Sequence, residues 1–351
     1  MSHNINTTSS SNLLPFIRYF EKNSIDWKAV ADQYQIPHDI QSRQVWLSSQ
    51  QLMSFLMAMV RHSNKKVGLE VGKLITLSQI SPALESNIRR CGDLSQAIET
   101  LIQMIPELSS HVVIWVEQIH GDWYLCHRGA YHPSTLGFDQ TEWFRSYALL
   151  SMCRLFLGKE WVPEHVYMSF SKHLAQGLPF EFSNTRFSFD HPFGAIKVEL
   201  DKDYQPISLT TNEVDWVERI KRLSHTYAML PWFTVDWFAG FLHMSSRTLQ
   251  RKLAEKGLSL KELRDEARVE TAKQLLQEKM TSEEVAWCCG YNDLSNFNRA
   301  FRRWTGVTPA QYRASNKKAR SVNYAPSTLF GYIVGLFLCT ANRFTGFHCC
   351  V

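Results

Sequence analysis

Apolar residues in the first 200 positions follow two different repeats, one helical and one extended. A helical spacing of three to four residues is visible in four segments, which are residues 13–20, 48–60, 93–105 and 142–157. Apolar and polar residues alternate along 111–117 and 123–127 with a turn at His120-Gly-Asp122, which predicts a β-hairpin. Residues 165–170 and 186–189 predict further strands. These patterns predict an α+β domain with an antiparallel sheet.

From Glu213 onward every clear pattern is helical, in short amphipathic segments that are broken by glycine or proline. The stretch before it is rich in Asp, Gln, Pro, Ser and Thr and has no periodicity, which is typical of a linker. The chain is therefore predicted to divide into a polar, disordered leader (1–11), an α+β domain (12–200), a linker (201–215), an all-α domain (216–316) and a tail (317–351).

The all-α domain nearly repeats itself, once in Val235–Gly257 and again in Ser282–Gly306. If Leu249 is aligned with Phe297, then Gln250 falls on Asn298, Arg251 on Arg299 and Leu253 on Phe301. Each copy consists of a short apolar helix, a break, and a helix with polar and basic groups on one side. That order is the layout of a helix-turn-helix unit.

The second helix of each copy has opposite apolar and polar faces. Leu249 and Leu253 form the inward stripe in the first copy, and Phe297 and Phe301 form it in the second. Ser245 or Ser246 is placed to cap the first of these helices. Arg pairs well with guanine edges, and Gln and Asn pair well with adenine edges. The outward side chains are Ser246, Arg247, Gln250 and Arg251 in the first copy, and Leu294, Ser295, Asn298 and Arg302 in the second.

Positive charge is concentrated in the predicted all-α domain. Residues 1–212 contain 18 Lys and Arg against 20 Asp and Glu, whereas residues 213–320 contain 19 against 13. A local excess of positive charge indicates a polyanionic partner. A helix predicted over 260–279 separates the two copies by about 30 Å, close to the ~34 Å between successive turns of the major groove. One protomer is therefore expected to read two adjacent turns of DNA.

At this point the sequence resembles the AraC/XylS family of transcription regulators. Residues 244–253 with Gly257-Leu-Ser resemble the first half of the family's DNA-binding domain, and 290–309 with Tyr312-Arg313 resemble its second half. Trp237-Phe238 and Cys288-Cys289 depart from the family's small apolar residues. The resemblance implies base contacts by Arg247, Gln250, Arg251, Ser295 and Asn298, and phosphate contacts or helix support by Ser246, Thr248, Arg299 and Arg302.

The first 200 residues are similar, in shorter fragments, to the subfamily that contains ornithine- and arginine-responsive regulators. The fragments are residues 67–72, 94–98, 142–144, 154–158, 163–167 and 178–180. The resemblance implies that this domain binds a small molecule, such as an amino acid or a related metabolite, or dimerises. We therefore expect an effector-responsive activator that binds promoter DNA as a homodimer and contacts RNA polymerase.

The arrangement of the cysteines helps to separate a transcription regulator from two alternative functions, a repair enzyme and an architectural DNA-binding protein. They form no Cys-x-x-Cys and no zinc-ligand spacing, and the leader lacks a signal-peptide pattern, so we expect reduced thiols, a cytoplasmic protein, no cofactor, no metal and no catalytic residue. A DNA alkylation-repair methyltransferase would need a metal-bound cysteine cluster, whereas Cys91, Cys126 and Cys153 are scattered. A sequence-blind architectural protein would show diffuse basicity without base-reading groups.

The tail is basic at Lys317-Lys-Ala-Arg320 and then apolar over residues 329–341. A membrane-spanning helix needs about 20 apolar residues, which is more than this stretch contains. We therefore expect a docked or disordered appendage of unknown role and no membrane anchor.

Overall fold

The computed structural model describes residues 5–175, 177–201, 203–207, 215–230, 232–278 and 280–320. These residues form two compact units. The N-terminal unit contains the described residues from Asn6 to Ile207, and the C-terminal unit contains Ile5 and the described residues from Asp215 onward. The predicted fold class, an α+β domain followed by an all-α domain with two helix-turn-helix units and a linker helix, is confirmed. Most of the predicted linker 201–215 lies outside the described residues.

The described part of the N-terminal unit contains eight α-helices beside its sheet. The four segments with a helical repeat form α1, α3, α7 and α8, and shorter helices that the periodicity did not predict lie between them. The bounds are α1 Leu14–Lys22, α2 Lys28–Gln33, α3 Ser49–Ser63, α4 Val67–Gly72, α5 Leu77–Ile80, α6 Pro82–Ile88, α7 Leu94–Met104 and α8 Phe138–Leu157, with single 3-10 turns at Ser10–Asn12, Ile105–Glu107, Lys172–Ala175 and Phe180–Phe182.

Strands form one pair and one five-stranded sheet. Their bounds are β1 Thr7–Ser9, β2 Trp46–Ser48, β3 Val113–Ile119, β4 Asp122–Arg128, β5 His165–Tyr167, β6 Arg186–Ser188 and β7 Gly194–Lys197. The large sheet has the order β3-β4-β7-β5-β6, and β3 and β4 form the predicted hairpin. The sheet is mixed, because β5 and β6 are parallel, so the prediction of a purely antiparallel sheet was wrong. The connection 168–185 is long enough for the crossover that a parallel pair requires.

The prediction of a disordered leader over 1–11 was wrong for residues 5–11, and residues 1–4 lie outside the described ranges. β1 pairs with β2, with Thr7 opposite Ser48, and residues 5–10 are buried. Ile5 packs into the core of the C-terminal unit, where the Nη1 of Arg219 donates to its carbonyl oxygen at 3.1 Å. The polar composition of the leader favours disorder in isolation. Pairing of β1 with β2 satisfies the backbone groups of the leader away from water and makes it ordered.

Helix α8 carries polar side chains into the core of the N-terminal unit. The Oε1 of Gln140 accepts from the backbone N of Gly68 at 2.8 Å. The carboxylate of Glu142 is fully buried and accepts from the backbone N of Ser169 at 2.6 Å and from its hydroxyl. Burial raises the pKa of Glu142. These bonds satisfy groups that would otherwise be costly to bury.

Seven helices form the described part of the C-terminal unit. Their bounds are α9 Trp216–Tyr227, α10 Val235–Phe241, α11 Ser246–Glu255, α12 Leu260–Gln277, α13 Ser282–Cys288, α14 Leu294–Thr305 and α15 Pro309–Arg320. No helix within the described ranges is long and apolar enough to cross a bilayer, and the apolar segment 329–341 lies outside those ranges.

The helix α12 belongs to two hydrophobic cores. Leu263, near its start, packs with α9, α10 and α11, whereas Leu275 and Leu276, near its end, pack with α13 and α14. Between them lies Arg268, whose side chain is 8% exposed. A single continuous helix therefore holds both helix-turn-helix units.

The guanidinium group of Arg268 contacts both halves of the C-terminal unit. Its Nε donates to the carbonyl oxygen of Ala228, after α9, at 3.0 Å, and the group lies 5.2 Å from the centre of the Tyr291 ring, between α13 and α14. Gly290 leaves room for this contact. It has a φ of +73°, and a Cβ there would lie 2.6 Å from the carbonyl oxygen of Met229 and 3.0 Å from the Nη2 of Arg268.

We predict that Gly290→Ala lowers the free energy of unfolding of the C-terminal unit by about 2–4 kcal/mol, because it combines a left-handed backbone with a steric clash. Gly240→Ala is the matched control, since nothing lies within 4 Å of its added Cβ. That variant is expected to gain about 0.5–1 kcal/mol of helix propensity. Urea unfolding, with amide hydrogen exchange to locate the change, measures both. Equal stability of the two variants would contradict the prediction.

Candidate DNA-binding surface

The first helix-turn-helix unit is formed by α10 and α11. The side chain of Thr234 caps α10, and the side chain of Ser245 caps α11 by accepting from the backbone N of Thr248 at 3.2 Å. Leu249 and Leu253 are fully buried against the core, which fixes the rotation of α11. The opposite face of α11 is thereby turned outward.

Three long polar side chains occupy that outward face, as predicted. Arg247, Gln250 and Arg251 are all exposed. Arg251 pairs with Glu255 on the same helix at 3.6 Å, and 69% and 62% of the two side chains are exposed. An ion pair this exposed contributes about 0–1 kcal/mol, so it is readily exchanged for a contact with DNA.

Two smaller residues on α11 make contacts within the unit. The hydroxyl of Ser246 donates to the carboxylate of Asp236 on α10, and the hydroxyls of Thr248 and Ser245 lie 2.8 Å apart. Ser246 and Thr248 are only partly exposed. The contact between Ser246 and Asp236 was not predicted, although a carboxylate in the first turn of α10 is its signal in the sequence. These contacts favour helix support as the role of both residues.

The second unit, α13 and α14, follows the same plan. Thr281 and Glu284 form a capping box on α13, and Asp293 caps α14 by accepting from the backbone N of Asn296 at 2.7 Å. Phe297 and Phe301 are fully buried, at the positions that Leu249 and Leu253 take in the first unit.

The turn of the second unit is one residue longer than that of the first. In the first unit the backbone N of Met244 donates to the oxygen of Ala239, and 47 residues later Tyr291 bonds Ala286 in the same way. The caps of α11 and α14, Ser245 and Asp293, are 48 residues apart. The alignment of Leu249 with Phe297, an offset of 48 residues, therefore holds for the second helix of each copy. The first helices align with an offset of 47, and the alignment did not show this difference.

The outward face of α14 differs from that of α11. Leu294, Ser295 and Arg302 are exposed, Leu294 by 37%, and Asn298 is partly exposed. Arg299 is exposed and its Nη2 donates to the Oδ1 of Asn296 at 2.5 Å. The structure thus brings the predicted side chains onto two outward helix faces. Their contacts with DNA stay predictions.

The caps of the two reading helices differ in charge at the end where phosphate is favoured. Ser245 is a neutral cap on α11, whereas the cap of α14 is the carboxylate of Asp293. The carboxylate of Asp236 nevertheless reaches the first residue of α11 through the hydroxyl of Ser246. Each reading helix therefore has a carboxylate at its N-terminus, as the cap itself at α14 and through Ser246 at α11.

Two of the tryptophans in the C-terminal unit lie on its surface rather than in its cores. Trp232 and Trp287 are 57% and 53% exposed, whereas Trp237 and Trp304 are partly buried and pack on the two cores. Trp287 stands where the first unit has Gly240, which places a large side chain on the outside of α13.

The thiols of the described residues are not arranged as a reactive centre. Cys289 is fully buried in the core position that Leu242 takes in the first unit, and burial raises the pKa of its thiol to about 12. Within the described ranges no group of three or more His, Cys, Asp or Glu side chains is placed to hold a metal ion.

Comparison with known proteins finds similarity in the region that contains the two helix-turn-helix units. Residues 238–315 match the helix-turn-helix domain family. The chain is 42% identical over 73 residues to the ornithine utilization regulator of Pseudomonas aeruginosa, covering 20% of this chain and 22% of that protein. It is 35% identical over 116 residues to the HTH-type transcriptional regulator VirS of Mycobacterium tuberculosis, covering 33% of each. The chain thus spans between a fifth and a third of the length of these relatives.

Two solved structures are also similar. The transcriptional regulator CdpR from Pseudomonas aeruginosa is 19% identical, with 86% of this chain and 96% of that chain covered and a TM-score of 0.36. A DNA-binding transcriptional dual regulator from Escherichia coli K-12 is 29% identical, with 28% of this chain and 93% of that chain covered and a TM-score of 0.27.

We predict that Arg247→Ala weakens binding to a specific DNA site by about 5- to 150-fold, because a base contact of this kind contributes about 1–3 kcal/mol. Arg303→Ala is the matched control. This variant also removes one positive charge from the C-terminal unit. The Nη2 of Arg303, however, donates to Asp265 on α12 at 3.1 Å, away from the reading faces. We expect less than a threefold effect from it. Affinities are compared by fluorescence anisotropy at one salt concentration; equal losses would mean that only net charge matters.

Proposed function

Because the C-terminal unit of this chain is an AraC-type helix-turn-helix domain, we propose that the protein is a transcription regulator that reads promoter DNA in two successive turns of the major groove. The observation that carries the proposal is the single helix α12, which holds both reading helices. Its 18 residues span about 27 Å, which is near the ~34 Å repeat of the groove.

The N-terminal unit is proposed to make regulation respond to a small molecule. A ligand that binds one state of this unit more tightly than another shifts the balance between them, and that shift changes dimer geometry or the availability of the DNA-binding unit. We propose a cytoplasmic, homodimeric activator that contacts RNA polymerase. The relative named for ornithine utilization supports an amino acid or a related metabolite as one class of effector.

Two other functions are less well supported. A sequence-blind architectural protein has no need for Arg247, Gln250 and Asn298 on two defined faces. An alkylation-repair methyltransferase needs an activated thiol, whereas burial raises the pKa of Cys126 above its ordinary range and that of Cys153 to about 12, which keeps both thiols protonated. Incubation with O-alkylated DNA and mass spectrometry of the protein tests the second alternative; a stoichiometric alkyl transfer would establish it.

The main experiment is genome-wide binding of the intact protein beside an Arg247→Ala, Gln250→Ala double variant. We expect the intact protein to occupy a limited set of promoters and the double variant to lose them. Reporter transcription from those promoters then separates activation from repression. Unchanged occupancy by the double variant would show that α11 is not the reading helix.

We also predict how binding depends on the spacing of the two contacted grooves. Since α12 fixes the separation of α11 and α14 within one protomer, inserting either 5 or 10 base pairs between the two contacted segments should cost about tenfold or more in affinity. Two protomers on separate half-sites would behave differently, because a 10-base-pair insertion restores the phase of the helix. Recovery of affinity at 10 base pairs would contradict two-groove reading by one protomer. Footprints of both inserted sites measure the outcome.

A further inference from the structure

A cavity of about 110 Å³ lies inside the N-terminal unit. Its walls are contributed by α1, α3, α5, α6, α7 and α8 and by the start of β3, and most of them are leucine, isoleucine and phenylalanine side chains. An apolar enclosure with a few polar groups on one side is the common form of a small-molecule site. Leu84 on α6 and Leu101 on α7 are examples of its apolar wall.

Polar side chains meet where the β3–β4 hairpin reaches the cavity. Val113 pairs with Arg128, so the residues that precede β3 and follow β4 lie side by side. The hydroxyls of Ser49 and Ser109 lie 3.1 and 3.0 Å from the Nδ1 of His111, whose ring lies 5.7 Å from that of Tyr131. All four of these side chains line the cavity.

Arg145 on α8 brings a positive charge to the cavity. Its Nη1 donates to the Nδ1 of His127 at 3.3 Å, and the Nε2 of His127 lies 3.2 Å from the hydroxyl of Ser146. Since a guanidinium only donates, His127 accepts at Nδ1 and is neutral; burial and Arg145 lower its pKa well below the ordinary value. Gly129 leaves room for the guanidinium, because a Cβ there would lie 3.3 Å from its Nη2.

No carboxylate among the described residues forms an ion pair within 4.0 Å of the guanidinium of Arg145, although Glu142 attracts it from further away, and burial lowers the pKa of Arg145. The carboxylate of Glu142, one turn away on the same helix, accepts hydrogen bonds from the backbone N and the hydroxyl of Ser169. A partly buried cation that faces a cavity without a carboxylate partner is costly, and an anion in the cavity removes that cost.

We infer that the cavity binds a saturated monocarboxylate of six to eight carbons, with its carboxylate at Arg145 and its hydrocarbon tail among the leucines. If roughly 10–15 Å³ of such space holds one water-sized group, the cavity accommodates about seven to eleven non-hydrogen atoms, which includes the size of hexanoate and octanoate. Burial of each methylene strengthens the binding of such a tail by about fourfold.

The lining also discriminates against ligands with an ammonium group. It contains no Asp and no Glu. An amino acid or a diamine would therefore bring a positive charge to Arg145 without an acid to balance it. The inference rests on the proposed function only in making this ligand the effector, and it replaces the amino acid considered there with a carboxylate that has no ammonium group; the binding site itself is argued from the cavity.

The experiment is calorimetric titration of the intact protein with octanoate, octanol, leucine and ornithine, without DNA. We expect octanoate to bind one to one, octanol at least tenfold more weakly, and the two amino acids not measurably. Arg145→Gln, which keeps a donor but removes the charge, should weaken octanoate at least tenfold. Ala148→Leu, which fills the cavity and keeps Arg145, should do the same. Arg128→Gln, at an exposed position outside the cavity, is the control and should change the affinity less than twofold.

Circular dichroism and specific DNA binding by each variant show that it is folded. Equal affinity for octanol and octanoate, unchanged binding in Ala148→Leu, or tighter binding of leucine or ornithine would each overturn the inference while leaving DNA recognition intact. Octanoate that binds as expected but changes neither promoter affinity nor transcription would retain the site and remove its role as effector.

Discussion

The contact of Arg268 with the two halves of the C-terminal unit is the constraint on which its geometry depends. The guanidinium is buried between the carbonyl oxygen of Ala228 and the ring of Tyr291, and no carboxylate among the described residues neutralises it. A buried charge of this kind is a poor source of stability, because desolvation offsets much of the attraction. It is satisfied in only one arrangement of its neighbours. We therefore attribute to it the fixed register of the two helix-turn-helix units along α12.

That fixed register gives the two units unequal tasks. The face of α11 presents Arg247, Gln250 and Arg251 behind a neutral cap, a set that suits base edges and phosphate together. The face of α14 presents Leu294, short polar groups and Arg302, with the carboxylate of Asp293 at its N-terminus. An apolar side chain suits the thymine methyl group, and a negative cap disfavours phosphate at the same end. We therefore expect the two helices to recognise different base edges at the two neighbouring turns of the groove.

What the sequence predicted was local, and what it missed depended on distant partners. The faces of α11 and α14 followed from apolar residues four positions apart, which any isolated helix displays. The order of β1 depends on β2, some 40 residues later, and the position of β7 in the centre of the sheet depends on partners on both sides. The cavity could not be predicted, because its lining comes from segments spread over residues 8–149 and no segment carries its pattern alone.

The helix α8 connects the cavity to the remainder of the N-terminal unit. Along it, Gln140 holds the backbone of α4, Glu142 holds Ser169 after β5, and the hydroxyl of Tyr147 donates to Glu181 at 2.7 Å. Arg145 lies in the same stretch, and its contacts in the described structure are with neutral groups. An anion at Arg145 therefore stabilises the helix that fixes these three connections. A ligand that binds the folded unit stabilises it in proportion to the logarithm of its concentration, so a small carboxylate bound at Arg145, within α8, stabilises the whole unit.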